Sequence, residues 1–558
     1  MVKRNNSLKL GIILVLCACF SAVAQENRYV IFFTDKDHSS YSIDRPEEFL
    51  SLRAIERREN QNIAITAEDL PVSQAYLDSL SAKKIDSYHQ SKWFNATIVQ
   101  ADSVELLSLN SASYIDTIIF VGPGAKLRNP YAGNSASING NSNLENAENA
   151  TNTTIDPADK ISLTQNTMLG VDEMHEAGFM GEGMLIGVFD GGFNNVDGIP
   201  AFDHLFEENK IIATRNFVDN NDSIYQFSDH GTSALSCIAG YIPEVFIGTA
   251  PNASFVLCVT EDVQGEYRVE EFNWTFAAEY ADSLGVDVIN TSLGYSTFLD
   301  SNMNYTYDDL DGQTAFITRA SAIAAKKGIV LVNSAGNEGG NSWRYVSAPA
   351  DAENILSVGA VNARFEKASF SSIGPTADGR LKPEISALGT DVVVVDESGG
   401  ISYARGTSFA SPLVAGLVAG FWQANPTLNN DEVMNRIKMS GHKASSPNNE
   451  LGYGVPDFSR AMEQKILGAY TESAESFKLY PNPISNDKLF VKISRDHLHQ
   501  DIDICLFNNA GVVVKKSSFT DYQISNPLII DFSDILPGIY FIKVVSRETS
   551  EAAKVVNF

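Results

Sequence analysis

Between residues 184 and 333, short apolar runs alternate with longer amphipathic stretches, and this alternation narrows the fold more than any other feature. Met184-Leu185-Ile186-Gly187-Val188-Phe189 carries no polar side chain, the pattern of a strand covered on both faces. Thr232–Tyr241 reads as a helix, Ala253–Val259 as a strand, Glu270–Ser283 as an amphipathic helix and Val286–Asn290 as the next strand. Thr314–Lys327 and Ile329–Asn333 repeat the unit. Strand–helix repeats build an α/β fold, a parallel sheet with helices on both faces. Ligands of such sheets sit at the carboxyl ends of the strands, so the residues just after these runs are the candidates for function.

Asp190 follows the first run, in Val188-Phe189-Asp190-Gly191-Gly192. His230, in Asp229-His230-Gly231-Thr232-Ser233, stands before the first helix. Asn333-Ser334-Ala335-Gly336-Asn337-Glu338-Gly339 follows the last strand. Downstream, Gly406-Thr407-Ser408-Phe409-Ala410-Ser411-Pro412 opens a helix running from Ser408 to about Gln423. A serine hydroxyl is a poor nucleophile until a base takes its proton, and the base needs a carboxylate to fix its tautomer. Alone, each piece has a plainer reading: a turn at His230, a loop at Asp190, a helix N-cap at Ser408. Four pieces in one order, each at an element boundary, favour catalysis. An esterase-type nucleophile elbow needs glycine where Ala410 stands, and it places serine first in the chain rather than last.

Together these segments resemble the subtilisin-like serine proteases, over roughly residues 160–465. The resemblance implies a subtilisin-like α/β domain with Asp190, His230 and Ser408 as the catalytic triad. It implies Asn337 as the side-chain donor of the oxyanion hole, beside the Ser408 N–H and the helix dipole. Asn290-Thr291-Ser292-Leu293-Gly294 resembles the family's substrate-pairing strand, which makes Ser292, Leu293 and Gly294 substrate-binding residues. Ser334, Ala335 and Gly336 resemble the opposite wall of the specificity pocket. Ser369–Pro375, Lys382-Pro383-Glu384 and Gly452–Asp457 match further family segments. Leu388, Glu384 and Arg405 depart from it, where proline, aspartate and a small residue are usual; none removes a catalytic group, and Arg405 is read as facing solvent. The function implied is a secreted serine endopeptidase made as a zymogen, acting on protein or peptide substrates. The alternative is a catalytically silent surface binding protein of the same fold.

At 558 residues the chain holds more than one domain. Its 69 acidic against 41 basic residues give a net charge of −28, which repels nucleic acid and anionic membranes. The acidity is compatible with structural calcium, but Asp308-Asp309-Leu310-Asp311-Gly312 fails the EF-hand template, so no metal residue and no cofactor is assigned. Residues 1–24 read as a signal peptide, with Lys3 and Arg4, an apolar core Leu10–Phe20, and cleavage after Ala22-Val23-Ala24. No other stretch is long enough to span a bilayer. Cys237 and Cys258 read as buried thiols, with a bridge between them left open.

Residues 25–124 read as a separate α+β ferredoxin-like unit, with strands Tyr29–Phe33, Trp93–Gln100 and Ile115–Val121 and helices Pro46–Arg58, Val72–Lys84 and Ser103–Leu109. It resembles subtilase propeptides, which implies an inhibitor that covers the active site until cut away; the alternative is a retained binding domain. Residues 125–159 are a low-complexity linker suited to processing. Residues 475–558 read as a small β-sandwich of short alternating strands. Tyr480-Pro481-Asn482-Pro483 and Leu536-Pro537-Gly538-Ile539-Tyr540-Phe541 resemble the C-terminal sorting domain of the type IX secretion system in Bacteroidota. That implies the secretion machinery as a partner, with export through the periplasm to a secreted or surface-attached state. A carbohydrate-binding or adhesion sandwich is the rival.

Overall fold

The computed structural model describes residues 26–37, 39–109, 111–124, 162–263, 265–463, 477–485, 488–493, 502–508, 512–520, 528–545 and 550–557. The expected signal peptide (1–24) and linker (125–159) lie outside the described residues. The chain divides into two compact units, one up to Gln464 and one from Lys465 onward.

The first unit begins with β1 (Asn27–Phe33), α1 (Leu52–Asn60), α2 (Gln74–Ser81), β2 (Ser87–Ser91), β3 (Ala96–Ala101), α3 (Ser103–Leu106) and β4 (Ile115–Pro123). The strands pair antiparallel in the order β2-β3-β1-β4, the expected ferredoxin-like arrangement. Strand β2 is absent from the sequence reading. The stretch Pro46–Arg58 is not one helix: a 3-10 turn at Pro46–Glu48 stops before Ser51, whose hydroxyl accepts from Ala54 N and caps α1. Alternate residues of β1 serve two cores. Ile31 and Phe33 pack with Val72, Leu80 and Val99 inside the domain. Val30 and Phe32 turn the other way, toward Phe272 and Phe316.

Those two phenylalanines belong to the α/β part of the same unit. Its elements are β5 (Leu185–Asp190), β6 (Ile211–Asn216), α4 (His230–Ala239), β7 (Ser254–Val259), α5 (Val269–Leu284), β8 (Val288–Thr291), α6 (Phe316–Lys326), β9 (Val330–Ser334), β10 (Leu356–Val361), β11 (Ile385–Leu388) and α7 (Thr407–Ala424). Seven strands form one parallel sheet in the order β11-β10-β9-β8-β5-β7-β6. Every residue of β5, β8, β9 and β10 is buried, as a sheet with both faces covered requires. Helix α7 is apolar nearly all round and lies buried on the sheet.

Toward its C-terminal end, the face that α5 turns to the N-terminal domain becomes charged. Asp282 accepts from Arg57 Nη2 at 2.6 Å, Arg58 Nη2 at 2.8 Å and Lys92 Nζ at 3.0 Å. Asp69 of the N-terminal domain receives Lys327 Nζ at 2.9 Å in return.

The second unit is a sandwich of β12 (Phe477–Ser485), β13 (Lys488–Ile493), β14 (Ile502–Asn508), β15 (Val513–Phe519), β16 (Leu528–Asp531), β17 (Gly538–Val545) and β18 (Ser550–Asn557). The sheets run β12-β13-β16 and β15-β14-β17-β18, and Leu489, Val491, Leu506, Phe532 and Ile542 fill the space between them. No described helix is long and apolar enough to cross a membrane.

Candidate active site

Asp190 ends β5 and His230 begins α4, two residues earlier than the helix start read from sequence. His230 Nδ1 lies 2.9 Å from each carboxylate oxygen of Asp190. Gly191 N also donates to Asp190 Oδ1, at 2.8 Å. Helix α4 can sit this close only because residue 231 is glycine. A Cβ there would overlap the Gly192 carbonyl and press on Asp190 Cβ. Burial pulls the His230 imidazolium toward the neutral form. The charge and hydrogen bond of Asp190, with Asp229 and Glu261 behind it, more than reverse this, so its pKa is raised above the ordinary 6.5.

Ser408 is the second residue of α7, and the ring of its neighbour Phe409 lies tilted against that of His230, with centroids 5.5 Å apart. The structure therefore brings the three segments together, but it turns the Ser408 hydroxyl to the Ser292 carbonyl, 3.3 Å away. No hydrogen bond joins Ser408 to His230 among the described residues.

Asn337 follows β9. Its Oδ1 accepts from Thr407 N and Thr407 Oγ1, both at 3.0 Å, while Gly336 N donates to Thr407 Oγ1 at 3.2 Å. With the oxygen held, the amide nitrogen faces the turn before α7. A Cβ on Gly406 would lie 3.6 Å from Asn337 Nδ2 and 3.7 Å from Ser408 N, so both donors border one small space. Gly406 has φ +143°, open to glycine at no steric cost. Thr407 had no role in the sequence reading. A hydroxyl residue directly before the candidate nucleophile was the available signal.

Ser292, Leu293 and Gly294 leave β8 and rise to the surface, Gly294 being exposed. Ser334, Ala335 and Gly336 leave the neighbouring β9. The two walls are joined where Leu293 O accepts from Ser334 Oγ at 3.3 Å. Gly336, at φ +104°, leaves room for Ser347 and Ser372. Parallel pairing of β8 with β5 and β9 thus sets six candidate substrate-binding residues beside the Asp190–His230 pair.

Two of the departures from the family pattern, Glu384 and Arg405, have local partners. Glu384 reaches Lys382 at 2.7 Å and accepts from Ser357 N and Oγ. Arg405 is exposed and lies over the Phe370 ring at 5.2 Å. Asp311 spends its oxygens on Gln313 N, Thr314 N and Thr314 Oγ1. Among the described residues no group of three metal-ligating side chains converges. Cys237 and Cys258 are free, buried thiols whose ionisation burial disfavours strongly.

Residues 181–454 match the model of the subtilase family, 28–136 that of the peptidase S8 propeptide domain of Bacteroidota, and 478–557 that of a secretion system C-terminal sorting domain. The chain is 29% identical to the subtilisin-like protease SBT6.1 of Arabidopsis thaliana, over 57% of this chain and 29% of that one. It is 30% identical to subtilisin NAT of Bacillus subtilis subsp. natto, over 50% of this chain and 65% of that one. With the subtilisin of Bacillus pumilus it shares 30% identity over 48% of this chain and 86% of the relative. The match thus spans less than two thirds of the first two relatives.

Proposed function

This chain belongs to the subtilase family, and from that premise we propose that it is a serine endopeptidase, made as a zymogen and exported. In this reading the Ser408 hydroxyl rotates from Ser292 toward His230 Nε2, gives up its proton and attacks the peptide carbonyl. Asp190 holds Nδ1 protonated and stabilises the imidazolium. The tetrahedral oxyanion is met by Ser408 N–H and Asn337 Nδ2. His230 then protonates the leaving amine, and water releases the acyl group from Ser408 by the same route in reverse. Ser292, Leu293 and Gly294 pair with the substrate backbone, and Ser334, Ala335 and Gly336 face its side chain. The proposed chemistry uses the protein's own side chains and the Ser408 backbone N–H; any calcium would be structural.

The observation that carries the reading is the pairing of His230 Nδ1 with Asp190 beside two N–H donors that border one space. The orientation of the Ser408 hydroxyl is the one feature on the side of a silent binding protein. Processed protein should hydrolyse casein at a rate that Ser408→Ala abolishes; equal rates in the two would reject the protease and leave the binding reading.

The N-terminal domain, about residues 25–124, is the inhibitor in this proposal, and residues 125–159 carry the processing point. The sorting-domain match marks the chain for secretion or cell-surface attachment. The partner proposed for that step is the type IX machinery.

A further inference from the structure

Asn290 is a polar side chain in the middle of an apolar sheet. It stands on β8 between Val188 of β5 and Val332 of β9 and is fully buried. No step proposed above uses it. Residues two apart on a strand share a face, so Asn290 and Ser292 project to the same side. Residues three apart on a helix share a face too, which aligns Ser408 with Ser411 on α7. The two pairs meet. Ser411 Oγ donates to Asn290 Oδ1 at 2.9 Å, Asn290 Nδ2 donates to Ser292 Oγ at 3.2 Å, and Ser292 Oγ donates to the Ser408 carbonyl at 2.8 Å.

The chain has a direction. An amide nitrogen can only donate, so the Ser292 oxygen accepts from Asn290 and its single proton is left for the Ser408 carbonyl. That carbonyl lies in the first turn of α7, and the same residue's hydroxyl donates back to the Ser292 carbonyl. Residue 408 is therefore held to residue 292 from two sides, and Asn290 decides which way one of those bonds points.

We propose that Asn290 is a positioning residue for Ser408: acting through Ser292, it fixes the first turn of α7, and with it the Ser408 side chain and N–H, against the strand that lines the cleft. The inference rests on the serine protease reading above. A buried amide satisfied only for the sake of folding would change stability and leave turnover per folded molecule untouched. A positioning residue changes turnover, because a displacement of about 1 Å at a reacting atom can cost on the order of a hundredfold.

The test is a double-mutant cycle in the processed full chain, read as kcat and KM on one peptide substrate with thermal unfolding alongside. Asn290→Ala and Ser292→Ala should each lower kcat by roughly ten- to a hundredfold with KM within about twofold. The double variant should be no worse than the more severe single, because both remove the same link. Should Asn290→Ala fail to fold, Ser411→Ala paired with Ser292→Ala carries the same test from the other end of the chain. Unchanged kcat, effects that multiply in the double, or a loss confined to KM or melting temperature would overturn the inference while leaving the protease reading intact. A wild-type protein that cleaves no peptide overturns both.

Discussion

Replacing Asp282 with alanine takes one carboxylate out of the contact between α5 and the N-terminal domain and leaves Arg57, Arg58 and Lys92 facing one another. The side chains involved are 0%, 4%, 1% and 10% exposed, so solvent does little to screen them. Removing one partner of a buried ion pair costs about 3–5 kcal/mol. Asp69 still accepts from Arg58, at 3.1 Å, and this argues for the lower half of that range. At about 1.4 kcal/mol per factor of ten, the domain's hold weakens by roughly two to three orders of magnitude. The aromatic contacts remain, Phe94 on Phe316 at 4.4 Å among them, so the domain is loosened rather than lost. The assay uses the full chain carrying Ser408→Ala, which removes the proposed nucleophile, and follows hydrogen exchange of β1, β3 and α5 in increasing urea. Asp282→Ala should open the interface at clearly lower urea than wild type, while exposed Asp86→Ala should not. Acid supplies a second arm. Burial alone raises the Asp282 carboxyl, but Lys92, Arg58 and Arg57 outweigh it and hold it far below the ordinary 3.8. A carboxylate depressed in the folded state stabilises above its unfolded pKa and loses that contribution as pH falls below it. The gap between wild type and Asp282→Ala should therefore be constant above about pH 5 and close progressively below about pH 4. Equal urea midpoints for the two variants at neutral pH would refute the reasoning.

Asn337→Ala should lower kcat on the order of a hundred- to a thousandfold with little change in KM, measured by steady-state kinetics on a chromogenic peptide. The acid limb of kcat/KM should lie above 6.5, because His230 must be neutral to accept a proton and Asp190 raises its pKa. Asp190→Asn should move that limb to lower pH and reduce kcat on the order of ten-thousandfold. Gly231→Ala should cost about 1–3 kcal/mol by urea unfolding, since the new Cβ meets the Gly192 carbonyl, and activity should fall further as His230 leaves Asp190. Deleting residues 475–558 should hold the protein in the periplasm by cell fractionation.

The central strands were legible because a strand covered on both faces must be apolar throughout, as Leu185–Phe189 and Val330–Val332 are. Strand β2 was not, because Ser87-Tyr88-His89-Gln90-Ser91 has no apolar period of its own. It forms by pairing with β3 and by burying His89 against Phe217, 128 residues away. The break at Ser51 is not legible in the sequence, because a serine within a helical pattern reads equally well as interior or cap. At the site, the residues with chemistry announced themselves through the glycines and small residues that let backbones approach, such as Gly231 and Gly406. Their supports did not. Thr407 on Asn337, Ser411 on Asn290 and Asp282 under three cations become meaningful only when segments 70 to 225 residues apart are folded together. The acidic run at Asp308–Asp311 shows the reverse case, in which a suggestive local pattern is consumed by its own backbone: Asp309 caps Thr306 and Asp311 caps Thr314.

The account stands on a single nucleophile, Ser408, activated by the neighbouring histidine. The most direct measurement is to treat the processed protein with a fluorophosphonate, digest it, and locate the adduct by mass spectrometry. The account predicts one stoichiometric label on Ser408, gained as pH rises through the His230 titration and absent when His230 is replaced by alanine. Labelling that falls elsewhere, or that persists unchanged without His230, would contradict it.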